Sequence, residues 1–236
     1  MATPQAPTLD LERSLLAAPG AGVVIGVDEV GRGALAGPVT IGAVAVDRTC
    51  GTPPTDIRDS KALSRKRRQD ACPAIRAWAI DAAVVHIPAE RIDEVGITQA
   101  LGEGAAQAVE SISDRRAVGC VLLDGRHDFM TPVDARWSVR TVIKGDATCI
   151  SIAAASILAK EERDGLMRDL HVSYPAYGWD RNVGYGTAGH RSAIAAHGVT
   201  TIHRRSWNLL PTWLRPHTPG GSIHRGLLPS GVPAER

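Results

Sequence analysis

The chain has 236 residues, 44% of them hydrophobic and 22% charged, with 27 Lys and Arg against 25 Asp and Glu for a formal net charge of +2. That length can bury one full core, with room for an appendage, and the even charge neither demands nor excludes a nucleic-acid partner, so local clusters must decide. Aromatic residues are only 4%, which argues against a single-strand binder built on stacking platforms. No apolar run approaches the ~20 residues of a membrane span, and no basic start followed by an apolar core marks a secretory signal. A cytoplasmic, monomeric protein is expected. Cys50, Cys72, Cys120 and Cys149 form no CxxC pair and have no His at zinc-ligand spacing. They read as reduced thiols.

In chain order, residues 1–20 are rich in Pro and Ala and predict a flexible leader. AGVVIGVDE (21–29) is a continuous apolar run ending in carboxylates, the pattern of a strand buried on both faces. PVTIGAVAV (38–46) follows after a Gly-rich turn too short for a helical crossover, so these two strands should pair antiparallel. A helix is predicted over 64–78, disturbed by Pro73, and a strand over 79–87. A second helix is predicted over 93–112, strands over 117–125 and 137–146, and a long helix over 146–170. Pro and Gly recur from about 211 onward, predicting a disordered tail over 211–236. The class is α/β, a mixed sheet flanked by helices.

Three strands lead to acids: Asp28 and Glu29 in the first, Asp124 in the fourth and Asp146 after the fifth. Each acid alone has an ordinary role, Asp28 and Asp124 as turn residues and Asp146 as a helix N-cap. Together, strand ends on one sheet edge bring Asp28 and Asp124 side by side, and Lys144-Gly145 can lead Asp146 to the same edge. Carboxylates converging without a cation repel and raise one another's pKa. A hard cation, Mg²⁺ or Mn²⁺, relieves that repulsion and suits phosphodiester chemistry. Adjacent Asp28 and Glu29 point to opposite faces of an ideal strand, so both reach one site only if the strand breaks there.

GVDEVGRGALAGPV (26–39) resembles the opening motif of ribonuclease HII, the type 2 ribonuclease H family. DSKALS (59–64), LLDG (122–125), KGDA (144–147), AASILAKEERD (154–164) and GYGTAGH (184–190) follow in the family's order. The resemblance implies a ribonuclease H-like catalytic domain over 21–170 and a small helical C-terminal extension over 171–210. It places the family's four catalytic, metal-holding acids on Asp28, Glu29, Asp124 and Asp146, with a two-metal site taking Mn²⁺ or Mg²⁺. It further implies hydrolysis of the RNA strand of RNA–DNA hybrids and incision 5′ to single ribonucleotides in duplex DNA, leaving 3′-hydroxyl and 5′-phosphate ends. Gly31, Arg32 and Gly33 would meet the 2′-hydroxyl, Tyr185 would stack beside the junction nucleotide, and Lys61 would contact a phosphate. Where many relatives carry a basic residue before GYGT, this chain has Val183.

The run Arg65, Lys66, Arg67, Arg68 reads equally as a solvated helix face or a phosphate contact. His190 reads as a structural hydrogen-bonding group in preference to a proton shuttle or phosphate contact, and Trp207 as packing inward to close the extension. The rivals are another nuclease on the same fold, of the junction-resolvase type, and a non-catalytic hybrid-binding module. The first lacks the GRG and GYGT segments; the second requires a lost acid, and all four are present.

Overall fold

The computed structural model describes residues 6–55, 57 and 63–209. Its five strands are β1 (Val23–Val30), β2 (Val39–Val46), β3 (Asp81–Ile87), β4 (Val118–Asp124) and β5 (Val139–Val142), in the spatial order β3-β2-β1-β4-β5. As expected from the short turn, β1 and β2 are antiparallel, with Val27 opposite Ala43. β2 and β3 are antiparallel, while β1–β4 and β4–β5 are parallel, so the sheet is mixed.

Alternation along β1 divides the core. Val23, Ile25 and Val27 meet the apolar stripe of helix α4 (Ile97–Ser113), whose Leu101, Ala105, Ala108 and Ile112 recur every three or four residues. Val24 faces the other side, where Ile152 of helix α6 (Ile150–Ser173) packs. Two missing side chains set how closely that helix lies. A Cβ on Gly26 would stand 2.3 Å from the Ser151 carbonyl carbon, and one on Gly42 2.2 Å from the Ala155 oxygen. The backbone of α6 therefore rests directly on β1 and β2.

The remaining helices are α1 (Asp10–Leu16), α2 (Arg65–Trp78), α3 (Ala89–Val95), α5 (Gly145–Thr148), α7 (Trp179–Asn182) and α8 (Ala188–His197). The single helix expected over 93–112 is two, α3 and α4, separated by Gly96 at φ 79°. The helix expected from 146 to 170 is likewise two, α5 and α6. Between them Cys149 is extended and bridges to Thr8. Pro73 does not interrupt α2. The basic run divides: Arg65, Lys66 and Arg67 are exposed, whereas Arg68 is buried and lies 3.6 Å from both Glu161 and Asp164.

The flexible leader expected over 1–20 is corrected within residues 6–20. Leu9 and Leu16 are buried, and α1 carries a fully buried Glu12 whose Oε1 accepts from Ser151 N at 2.9 Å and Ser151 Oγ at 2.7 Å. The first N–H groups of any helix lack internal partners. Cys149 offers α6 no side-chain cap, so Glu12 takes that task from a distance of 139 residues along the chain.

After α6 the chain makes a 3-10 turn, Pro175–Tyr177, then α7 and α8. These pack as a third apolar cluster in which Tyr177, Trp179 and Ile194 meet Met167 of α6 and Leu35 and Ala36 from the β1–β2 connection. The sequence boundary expected after residue 170 falls inside the last turn of α6. Buried polar groups hold this cluster. His203 Nδ1 accepts from Thr200 N at 3.0 Å, so its Nε2 carries the proton toward His190 Nε2 at 3.2 Å. His190 Nε2 also accepts from Trp179 Nε1 at 3.1 Å, and His190 Nδ1 donates to the Tyr185 carbonyl at 2.9 Å. His190 is thus a structural hydrogen-bonding group, as its sequence context suggested.

Replacing Glu12 by Ala strips Ser151 of the one buried acceptor of two hydrogen bonds. It should cost roughly 1–3 kcal/mol in denaturant unfolding; a loss below the error of the measurement would show that α1 is not tied down. Burial, with the nearby His190 and Arg205, pushes His203 down to about 4, and burial also lowers His190. The unfolded chain therefore binds protons below pH 6.5 that the fold does not, and stability falls as pH drops from 6.5 toward 4. His203→Asn, whose amide oxygen can replace Nδ1, should flatten that slope in urea titrations; an unchanged slope would place the loss elsewhere.

Candidate active site

β1 and β4 end together. Their pairing runs to Val27 opposite Leu123, and the next residue on each strand is Asp28 and Asp124. Both continue the alternation that faces α6, after Gly26 and Leu122. Because α6 lies so close, Ser156 hydrogen-bonds the Asp28 carboxyl, whose residue is 6% exposed. Asp28 Oδ1 also accepts from Glu29 N at 2.8 Å.

The strand does not break at these acids. β1 continues through Val30, with Asp28 opposite Gly42 and Glu29 opposite Ile41, so the expected interruption is corrected. The two carboxyls still share a cavity because β4 ends at Asp124, leaving that edge of β1 open beyond Asp28. The cavity, about 470 Å³, is lined by residues 28–33 with Ser156, Lys160 and Tyr185. Burial pushes Asp28 well above the usual carboxylate range; repulsion from Glu29 and Asp124 adds to this, while Ser156 and the Glu29 N–H oppose it. Burial also raises Glu29, with Asp124 reinforcing and Arg32, 3.4 Å away, opposing.

Asp124 serves the backbone as well. Its Oδ1 accepts from Gly145 N at 2.6 Å and Asp146 N at 3.4 Å, so it caps α5 across the chain. Lys144, in left-handed conformation at φ 56°, occupies the cap position. Asp146 is accordingly not the N-cap but a first-turn residue, tied through its N–H to Asp124. Among the described residues, no three His, Cys, Asp or Glu side chains form a ready-made metal cluster. The acids instead stand along an open sheet edge, where Asp28, Glu29 and Asp124 repel one another.

The Gly31–Gly33 loop forms the next part of the cavity. Gly31 has φ 84°, and a Cβ there would lie 2.0 Å from Arg163 Nε, so both its conformation and its contact require glycine. Arg32 is half exposed beside Glu29. Tyr185, 38% exposed, lies with the Arg163 guanidinium 5.6 Å from its ring centre. Lys61 falls outside the described residues. Sequence reading missed Ser156 and Lys160, although both lie in the AASILAKEERD segment. Their i, i+4 spacing puts them on one helix face, and that spacing was the available signal.

The ribonuclease HII family model matches residues 25–210. The chain is 43% identical over 210 residues to ribonuclease HII of Streptomyces avermitilis, covering 88% of this chain and 87% of that one. The fold is similar to ribonuclease HII of Archaeoglobus fulgidus, solved in complex with PCNA, at a TM-score of 0.65 and 24% identity, covering 84% of this chain and 98% of that one. It is also similar to Bst-RNase HIII in complex with Mn²⁺, at a TM-score of 0.60 and 19% identity, covering 84% of this chain and 71% of that one. With its acids at adjoining strand ends and its sequence matched over nearly the whole folded length, the chain belongs to the ribonuclease HII family of endoribonucleases.

Proposed function

We propose that the protein hydrolyses the RNA strand of RNA–DNA hybrids and incises 5′ to single ribonucleotides embedded in duplex DNA, leaving 3′-hydroxyl and 5′-phosphate ends. The observation that carries this reading is one cavity in which Asp28 and Glu29 adjoin Gly31–Gly33 and Tyr185. Carboxylates without the loop would support phosphodiester chemistry of any kind. A glycine-flanked backbone beside them supplies close polar contact to a 2′-hydroxyl, the group that separates RNA from DNA.

The donor set fits divalent cations. It is all oxygen, and Asp28 is buried beside like charges, which hydrogen bonds from Ser156 and the Glu29 N–H oppose without restoring an ordinary carboxyl. Asp28, Glu29, Asp124 and Asp146 would hold a pair of Mg²⁺ or Mn²⁺ ions, and the Mn²⁺ in the similar Bst-RNase HIII structure supports that choice. When bound, such ions supply positive charge to the scissile phosphate and make water a better nucleophile. The chain's own residues do the rest. Ser156 fixes the Asp28 carboxyl, and Asp124 fixes the start of α5 and with it Asp146. Lys160, held by Asp164 at 2.7 Å, brings a cation to the cavity for a substrate phosphate. Arg32 leans on Glu29 until substrate competes for it. Tyr185 offers a ring face to the junction nucleotide, and the exposed Arg65, Lys66 and Arg67 add salt-dependent affinity for the duplex.

Because Asp28 binds a proton more tightly folded than unfolded, its charge opposes folding at neutral pH in the absence of a cation. Asp28→Asn should therefore raise the melting temperature in chelator by a few degrees, each kcal/mol being worth roughly 2–4 °C at this size, while abolishing cleavage. Cleavage at the wild-type rate by this variant, or by Asp124→Asn, would remove the acids from the mechanism. The substrate assignment is tested on a duplex carrying one ribonucleotide, with Mg²⁺, with Mn²⁺ and with chelator. Incision 5′ to that ribonucleotide in either metal and none in chelator is expected; a cut in all-DNA duplex at the same rate would overturn it.

A further inference from the structure

Arg204 is fully buried, yet its hydrogen-bond partners are carbonyl oxygens rather than a carboxylate. Nη2 donates to Gly31 O at 2.7 Å, Nη1 to Arg32 O at 2.8 Å and Nε to Gly37 O at 3.1 Å. Arg163, also fully buried, takes the far end of the same stretch, donating to Ala36 O at 3.2 Å and Pro38 O at 2.9 Å. The loop from Gly31 to Pro38 thus lies between two guanidiniums. Neither side chain lines the cavity, whereas the loop they grip does.

Burying a guanidinium is costly, and the carbonyls offset that cost only while the loop keeps its present shape. The planar fork presents donors in fixed directions, so three carbonyls from residues 31, 32 and 37 must stay in register with it. Arg204 in turn is set by its own segment. Its N–H donates to Leu35 O at 2.9 Å, Ala36 bridges to His203, and Gly37 N donates to Ile202 O at 2.9 Å. Beyond it, Asp93 of α3 accepts from Arg205 N at 2.7 Å and Ser206 N at 3.0 Å. A chain of contacts therefore runs from the surface of α3 through the 204–206 segment to the backbone of Gly31 and Arg32.

We propose that Arg204 is a positioning residue for ribonucleotide recognition: it fixes the Gly31–Gly33 backbone against the 2′-hydroxyl without touching substrate. This rests on the reading of that loop given under Proposed function. A loop released by even 1 Å loses the alignment on which a 2′-hydroxyl contact depends, a displacement that can cost about 100-fold. Arg204 thereby sets selectivity through geometry, and Asp93 supports it from the surface.

The test is the ratio of single-turnover incision rates at one embedded ribonucleotide and at the same position carrying 2′-fluoro in place of 2′-hydroxyl. A purely structural role lowers both rates together and leaves the ratio unchanged. Arg204→Lys keeps a charge but cannot span three carbonyls, so its ratio should fall about tenfold or more. Asp93→Ala loosens the segment from the surface, spares the buried cluster and should lower the ratio in the same direction by a smaller factor. If Arg204→Lys does not fold, Asp93→Ala alone decides. Ratios within twofold of wild type in whichever variants fold would overturn the proposal. A wild-type enzyme that cuts both substrates equally would instead overturn the functional reading on which it rests.

Discussion

The contact on which the site depends is that of a helix laid bare-backed on a sheet. Gly26 and Gly42 let α6 rest on β1 and β2 at distances that any Cβ would forbid. Ser156 consequently reaches Asp28, and Lys160, one turn later, reaches the cavity. Two turns beyond Ser156 the helix delivers Arg163 beneath the connection to β2. A larger residue at Gly26 would lift all three groups together. The apolar run of β1 and the small residues of α6, Ala153, Ala154 and Ala155, are thus one adaptation to close approach.

Against that rigid frame the acids are held in mutual repulsion. Asp28 is buried beside Glu29 and Asp124, and its two hydrogen bonds do not restore an ordinary carboxyl. Such an arrangement lowers the stability of the fold at neutral pH. It persists because the surrounding elements are over-determined: α6 is capped by Glu12, and α5 is capped by Asp124 itself. Stability lost at the sheet edge is offset at the helix ends, an arrangement that suits the proposed cation site.

Much of this was legible in the sequence. Apolar runs ending in acids located β1 and β4, and the short glycine-rich link fixed β2 as the antiparallel neighbour of β1. Three of the failures share one cause, namely that their determinants are distant along the chain. Asp10–Leu16 gives a weak local helix signal, and it is ordered by Ser151. Asp146 looked like a cap because the true acceptor, Asp124, lies 22 residues earlier. Glu29 was expected to need a broken strand, but the end of β4 opens the edge without one. Periodicity sees one element at a time, and each of these depends on two.

The C-terminal segment illustrates the same point more strongly. As the family resemblance implies it, it is an appendage, a small helical extension following an α/β domain. In the structure its apolar residues complete a cluster with Leu35 and Ala36, and its polar groups hold the backbone of the loop that lines the cavity. His190 fixes the Tyr185 carbonyl, and Arg204 fixes Gly31 and Arg32. The acids come from β1, β4 and the start of α5, whereas the backbone of Gly31 and Arg32 is held from the C-terminal segment. The acids and the grip on the Gly31–Gly33 loop thus rest on different parts of the chain, joined at Gly31. On the proposed function, a change in the C-terminal segment would alter which nucleotide is accepted while the carboxylates stay where the sheet puts them.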